Sequence, residues 1–106
     1  MLQVLKLPID QAISGEEAVM KCRQRMEKGI DMYNLIIMDI NMPGMDGVET
    51  TKALRQFLDT YVRDRNQKCM IVAHTALPEY QFGDYKAKGF DDFLQKNDNE
   101  HLRQIV

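Results

Sequence analysis

Short, nearly uniform apolar runs at residues 33–38 and 69–73 are the clearest pattern along the chain. Runs of this kind leave no polar face, so they predict buried strands of a parallel sheet that is covered on both sides. Shorter apolar segments at residues 9–13 and 90–94 predict two further strands. The segments between these runs then decide the fold class.

Helix start and stop signals lie between the predicted strands. Ser14, with Glu17 three residues later, forms a capping box that predicts the start of a helix, and Gly29 suits its C-terminal stop. A second capping box, Asp46 with Glu49, predicts the start of the next helix. Apolar residues recur at helical spacing along both segments, so each predicted helix presents one face to a core.

The second predicted helix divides into two faces. The apolar face, which we expect in the core, comprises Val48, Leu54, Phe57, Leu58 and Tyr61. The face that we expect in solvent comprises Lys52, Arg55 and Arg63. Strands that alternate with such helices predict an α/β fold with a doubly wound parallel sheet.

Two weaker helices complete the predicted pattern. A third helix is predicted from Pro78 to Lys88, because proline suits a first helical turn and Gly89 suits a stop. Gly83 weakens this helix by about 1 kcal/mol relative to alanine. Residues 97–100 frame a short last helix, which ends with the chain.

Composition limits the class of protein more than its chemistry. With 106 residues the chain predicts one small domain, and a formal net charge of −2 gives no basic footprint, so we expect no direct nucleic-acid ligand. No apolar run approaches the roughly 20 residues of a membrane span, so no membrane insertion is expected. Cys22 and Cys69 lie in apolar stretches without metal-ligand spacing, which is typical of reduced core thiols in a cytoplasmic protein.

Three polar residues stand at the ends of predicted strands. Asp39 ends one strand, Thr75 ends the next, and Lys96 follows the last. Because ligands of open α/β sheets bind beyond the carboxyl ends of the strands, we expect these three side chains to meet at one edge. Carboxylates accept phosphoryl groups as aspartyl phosphates, and a hydroxyl and an ammonium would bind the transferred group.

The segments around these residues resemble the receiver domain of two-component response regulators. The string Met-Asp-Ile-Asn-Met-Pro-Gly-Met-Asp-Gly at residues 38–47 is highly specific, and residues 71–76 and 87–96 match further blocks. Residues 12–18 resemble the family's second strand and second helix. The resemblance implies a flavodoxin-like fold and a function in phosphorelay signal transduction, either in a response regulator or as a module of a hybrid histidine kinase.

The resemblance also implies a role for individual residues. Asp39 would accept phosphate from a phosphohistidine on a histidine kinase or a histidine phosphotransfer protein, and Asn41 would offer its backbone carbonyl to an Mg²⁺ ion that Asp39 also binds. Thr75 and Lys96 would each bind a phosphoryl oxygen, and Phe93 would turn inward when Thr75 moves, as a switch. The module would catalyse its own phosphorylation and dephosphorylation and would not act as an enzyme on a separate small molecule.

The amino-terminal part departs from the family pattern. An acidic pair at the end of the family's first strand supplies most of the Mg²⁺ ligands, and if residues 9–19 are the second strand and helix, that pair has no counterpart. The Mg²⁺ expectation is weaker for this reason. We expect an N-terminally truncated receiver whose fold is marginal alone, or which borrows a strand from a partner or a second copy. An alternative alignment makes residues 1–7 the first strand and Asp10 a surviving acid, but it leaves no room for the first helix.

Other departures and alternatives remain open. Asn97 replaces the proline that usually follows the lysine, and His74 replaces an apolar residue, where a histidine with a backbone partner is expected rather than a catalytic base. The main alternative is a pseudo-receiver that binds partners through its final strand and helix without phosphate, or a non-functional fragment. A flavin or nucleotide binder is disfavoured, since the chain has no Gly-rich phosphate loop. As part of a hybrid kinase, the module would be cytoplasmic or tethered to a membrane through that kinase.

Overall fold

The computed structural model describes residues 12–41 and 44–96. Its elements are α1 (Gly15–Lys28), β1 (Leu35–Asp39), α2 (Gly47–Asp64), β2 (Met70–Thr75), α3 (Glu79–Phe82) and β3 (Asp92–Gln95). The predicted first strand lies outside the described residues except for its last two, which are not in a strand. Asp10, the alternative strand over residues 1–7 and the predicted last helix also lie outside them.

All three strands run parallel in the order β1-β2-β3, which confirms the predicted parallel α/β arrangement. Asp39 at the end of β1 pairs in register with His74, and Thr75 at the end of β2 pairs with Gln95. The carboxyl ends of the strands therefore lie along one edge of the sheet. None of the helices in the described ranges combines the length and the apolar character needed to cross a membrane.

Both predicted capping residues form caps in the structure. Ser14 Oγ accepts a hydrogen bond from the Glu17 amide at 3.2 Å, and Asp46 Oδ1 accepts one from the Glu49 amide at 2.8 Å. Gly29 ends α1 in the left-handed conformation with φ of +67°, as the pattern predicted. These local signals are confirmed because each depends on residues close together in sequence.

The core lies between α2 and the sheet, and α1 packs beside α2. Leu54 and Leu58 of the predicted apolar face of α2 are completely buried, as are Ile71 and Ala73 of β2. Truncation of one such leucine to alanine would cost about 2–5 kcal/mol. The other predicted apolar residues of α2 are partly buried and pack against this core, so the predicted apolar face of α2 is confirmed.

Side chains close the amino ends of β1 and β2. The Gln67 side chain accepts a hydrogen bond from the Met32 amide at 3.0 Å and donates one to the Met32 carbonyl at 2.5 Å. The Asp91 carboxylate accepts a hydrogen bond from the Ile71 amide, and the Asp91 amide donates to the Ile71 carbonyl, both at 2.8 Å. Each contact satisfies a backbone donor and acceptor as a neighbouring strand would.

Part of β1 is less buried than its uniformly apolar sequence predicts. Ile37, in the middle of β1, is 41% exposed, and Leu35 and Ile36 are only partly buried. Within residues 12–41 and 44–96, β1 pairs with β2 alone and is an edge strand, while α2 covers its other face. A uniformly apolar sequence therefore predicts a strand, but not how far each of its residues is buried.

The prediction that Arg55 lies on the exposed face of α2 is wrong. Its side chain is only 21% exposed, and its guanidinium donates hydrogen bonds to the Gly89 carbonyl, Asp59 and Asp91 at 2.8–2.9 Å. The reason is a tertiary contact, because the loop before β3 folds against α2. This loop brings the Asp91 carboxylate and the Gly89 carbonyl to the Arg55 guanidinium, which has five N–H donors.

The third helix is much shorter than predicted. α3 has four residues, because Gly83 adopts φ of +94° and ψ of −159°, which no helix continues. The chain then forms turns until Gly89, whose φ is +102°. The stop predicted at Gly89 ends these turns, while Gly83 ends the helix.

The two buried thiols provide a test of the core. Burial raises the pKa of Cys22 to about 11 and that of Cys69 to about 12. We therefore expect iodoacetamide at pH 8 to alkylate the native protein at least about a hundredfold more slowly than the urea-unfolded chain, since only the thiolate reacts. Mass spectrometry over time measures both rates. Equal rates in the two samples would show that the core is not closed around α1 and β2.

Candidate functional site

The carboxyl edge of the sheet brings a carboxylate and an ammonium together. Asp39 is the last residue of β1, and Lys96 directly follows β3. Lys96 Nζ lies 3.4 Å from Asp39 Oδ2, and the two side chains are 37% and 42% exposed. The pair is open on its outer side, so a ligand can reach the carboxylate without rearrangement of the core.

The backbone on both sides of Asp39 fixes its position. The Asn41 amide donates to Asp39 Oδ1 at 3.2 Å, and the Ile40 amide donates to the His74 carbonyl at 3.0 Å. The Gly47 amide at the start of α2 donates to the Ile40 carbonyl at 3.0 Å. A Cβ on Gly47 would lie 2.6 Å from the Asp39 carbonyl oxygen, so only glycine lets α2 begin here.

Thr75 contacts this pair through its backbone, not through its hydroxyl. The residue is completely buried, and its carbonyl accepts a hydrogen bond from the Lys96 amide at 2.7 Å. Its Oγ1 accepts a hydrogen bond from the Leu77 amide at 3.2 Å. Among the described residues this hydroxyl bonds neither Asp39 nor Lys96, so the structure places all three residues at one edge but joins only the Asp39 and Lys96 side chains.

His74 is the titratable neighbour of this pair. It lies opposite Asp39 in the register and is partly buried. Burial lowers its pKa, the positive charge of Lys96 lowers it further, and the Asp39 carboxylate acts in the opposite direction. Burial and the charge of Lys96 thus both favour the neutral imidazole, because protonation would place a second positive charge beside Lys96.

Phe93 already lies inside the protein. Its ring is 8% exposed, with its centroid 5.6 Å from that of Phe82 in α3 and 6.0 Å from that of Tyr85. The ring therefore links β3 to the segment that follows Thr75. The resemblance predicts that this ring turns inward when Thr75 moves, whereas here it is already inside while Thr75 Oγ1 bonds the Leu77 amide.

The described residues do not by themselves fit a resident Mg²⁺ ion. They contain no cluster of three or more His, Cys, Asp or Glu side chains that could hold a metal. The predicted ligands among them are one carboxylate, Asp39, and the Asn41 carbonyl, and both carboxylate oxygens already accept hydrogen bonds. Mg²⁺ is usually bound through one or two carboxylates together with waters and phosphate oxygens, so this donor set is incomplete.

Glu16 is a residue of this region that the sequence pattern did not reveal. Its Oε1 accepts a hydrogen bond at 3.1 Å from the amide of Met45, in the loop between Asp39 and α2. The capping box drew attention to Glu17, whereas the long-range contact belongs to its neighbour. A pair 29 residues apart leaves no periodic signal in one sequence.

Substitution of Gly47 tests the close contact between α2 and Asp39. We expect Gly47→Ala to lower the free energy of unfolding by about 1–3 kcal/mol, because the added methyl group overlaps backbone atoms that cannot move independently. Thermal unfolding followed by circular dichroism measures the loss. Gly29→Ala is the matched control, since its Cβ would meet no atom within 4 Å and only its positive φ costs about 1 kcal/mol. A Gly47→Ala protein that melts like the wild type would contradict the contact.

His74 predicts a pH dependence of stability. Because its folded pKa lies below its unfolded value of about 6.5, the unfolded state binds the proton more readily. The contribution is complete above pH 6.5 and is lost as the pH falls through the folded pKa. We expect the melting temperature to fall more between pH 7.5 and 5.5 in the wild type than in His74→Gln. Parallel curves for the two proteins would show that His74 is not perturbed.

Comparison with known proteins identifies the family of the chain. The family model of the response regulator receiver domain matches residues 1–106. The hybrid signal transduction histidine kinase L of Dictyostelium discoideum is 34% identical over 98 residues, which cover 91% of this chain and 5% of that protein. The chain thus spans a small part of such relatives.

Solved structures show the same fold. Chemotaxis protein CheY4 of Vibrio cholerae superposes with a TM-score of 0.70 at 24% identity, over 98% of this chain and 82% of that one. The receiver domain of the Arabidopsis thaliana histidine kinase CKI1, solved with Mg²⁺, gives 0.58 at 28% identity, over 88% and 70%. The predicted flavodoxin-like α/β fold is confirmed, and the chain belongs to the response regulator receiver domain family.

Proposed function

We propose that this chain is a phosphorelay module that accepts a phosphoryl group from a phosphohistidine onto Asp39. The observation that carries the proposal is the contact between Lys96 Nζ and Asp39 Oδ2 at an open edge of the sheet. The donor would be a histidine kinase or a histidine phosphotransfer protein, and the module would act in the cytoplasm, alone or as part of a hybrid kinase. Receiver domains are not an enzyme family in themselves, so the chemistry proposed here is limited to the module's own aspartate.

The proposed reaction is a phosphoryl transfer between two side chains. One Asp39 oxygen attacks phosphorus, the P–N bond of the phosphohistidine breaks, and its electron pair stays on the imidazole, which takes up a proton. The product is an acyl phosphate on Asp39. Such transfers depend on position and on charge stabilisation, and the ammonium of Lys96 lies where it can neutralise a phosphoryl oxygen.

Thr75 would bind a second phosphoryl oxygen through its hydroxyl. Its Oγ1 accepts a hydrogen bond from the Leu77 amide, which leaves the hydroxyl proton available to donate. Because Thr75 is completely buried, this proposed role requires the side chain to move toward the edge. The Phe93 ring, packed against Phe82, couples β3 to α3 and would follow that movement. These two residues make the proposed switch.

Whether phosphorylation of this chain requires Mg²⁺ is a question for measurement. The CKI1 receiver domain was solved with this ion. For the present chain, the described residues supply an incomplete donor set. We therefore compare phosphorylation with Mg²⁺ and with excess chelator and assign no step to the ion.

Labelling with a small phosphodonor tests the function directly. We expect acetyl phosphate to add one phosphoryl group to the wild-type protein, detected by intact mass, and to add none to Asp39→Asn, which lacks the nucleophile. Asp64→Asn is the matched control, because Asp64 is an exposed carboxylate at the end of α2. It should be labelled as the wild type is.

A second variant tests the role of Lys96. Lys96→Met keeps the nucleophile and removes the charge, so labelling should be at least about tenfold slower, since charge-stabilising groups of this kind contribute factors of about 10²–10³ in other enzymes.

Label that persists in Asp39→Asn would overturn the proposal. A folded wild-type protein that takes no phosphate, alone or from a phosphotransfer protein, would support the phosphate-independent interaction module.

A further inference from the structure

The first turn of α1 contacts the loop that joins Asp39 to α2. Glu16 Oε1 accepts a hydrogen bond from the Met45 amide at 3.1 Å. The preceding residue, Gly44, has φ of +74°, and a Cβ on it would lie 3.2 Å from the same oxygen. The loop backbone at Gly44 therefore lies close against this carboxylate.

A second close approach of α1 is to the carbonyl group of the same residue, Met45. Gly15 is buried, and a Cβ on it would lie 2.9 Å from the Met45 carbonyl oxygen and would overlap Thr50 Oγ1. Gly15 thus allows the start of α1 to reach the start of α2. Met45 thus has Gly15 against its carbonyl oxygen and Glu16 bonded to its amide.

The carboxylate is suited to this contact. Hydrogen bonds from its own backbone amide and from the Met45 amide lower the pKa of Glu16. The group is therefore ionised at neutral pH, and a hydrogen bond from an amide to an ionised acceptor is stronger than one between neutral groups.

The contact between Glu16 and Met45 is connected to Asp39 through a short stretch of backbone and one hydrogen bond. Met45 precedes Asp46, the N-cap of α2, and the next residue, Gly47, donates its amide to the Ile40 carbonyl. Gly47 also touches the Asp39 carbonyl so closely that it has no space for a Cβ. The position of Met45 therefore sets where α2 begins, and the start of α2 sets where the end of β1 lies.

We propose that Glu16 is a positioning residue for Asp39, which holds the following loop through the Met45 amide so that the carboxylate meets an incoming phosphoryl group in a fixed orientation. This inference rests on the function proposed above. Glu16 touches neither Asp39 nor Lys96, and it acts only through the loop.

The test compares two variants at Glu16 with one at its neighbour. Glu16→Ala removes the acceptor, and we expect the initial rate of labelling by acetyl phosphate to fall roughly three- to tenfold, the effect of one lost hydrogen bond. Glu16→Gln keeps an oxygen acceptor and should restore most of the rate. Glu17→Ala is the matched control, since Glu17 lies in the same turn and its carboxylate pairs with Lys21 at 3.5 Å. Its rate should equal that of the wild type.

A spectroscopic measurement reads the contact itself. Amide hydrogen exchange at Met45, followed by NMR, should be several-fold faster in Glu16→Ala than in the wild type and Glu16→Gln, while amides in the middle of β2 stay unchanged. This arm requires no phosphorylation, and it also shows that the variants are folded.

Each outcome has one meaning. A wild-type rate in Glu16→Ala, or a Glu16→Gln protein as slow as Glu16→Ala, overturns the positioning role even if the proposed function holds. Unchanged exchange at Met45 overturns the contact. A wild-type protein that takes no phosphate instead overturns the proposed function, and with it the role of Glu16, whatever the exchange rates show.

Discussion

The parallel register of β1, β2 and β3 is the constraint on which the site depends. It brings Asp39 and Lys96, 57 residues apart, to one edge of the sheet. Their own attraction does not build this arrangement, because a half-exposed ion pair contributes only about 0–1 kcal/mol. The buried side chains between α2 and the sheet, each worth about 1.5–3 kcal/mol, supply the energy instead. The pair is a result of the fold.

Features that depend on neighbouring residues could be predicted from the sequence. The caps at Ser14 and Asp46, the stop at Gly29 and the approximate positions of the three described strands all follow from local chemistry or from apolar periodicity. The edge that carries Asp39 and Lys96 follows from these strands once they are taken as parallel. In this sense the sequence contained the location of the site, but not its hydrogen bonds.

Features that depend on distant parts of the chain could not be predicted. Arg55 looks like an exposed helical residue until the loop before β3 folds against it. Gly83 is compatible with a helix in sequence terms, and only its backbone angles in the structure show that α3 ends there. The bond from Leu77 to the Thr75 hydroxyl and the contact of Glu16 with Met45 have the same origin. In each case several hydrogen-bond partners are compatible with the sequence, and one sequence alone does not show which of them is used.

The side-chain contacts of Gln67 and Asp91 have a mechanical consequence. Their hydrogen bonds hold the backbone at the amino ends of β1 and β2, where a neighbouring strand would otherwise bind. Asp91 directly precedes β3. The opposite ends of the strands carry the half-exposed pair and the Thr75 turn. Sliding of β1 along β2 would have to break these contacts, so they keep the carboxyl ends of the two strands aligned with each other.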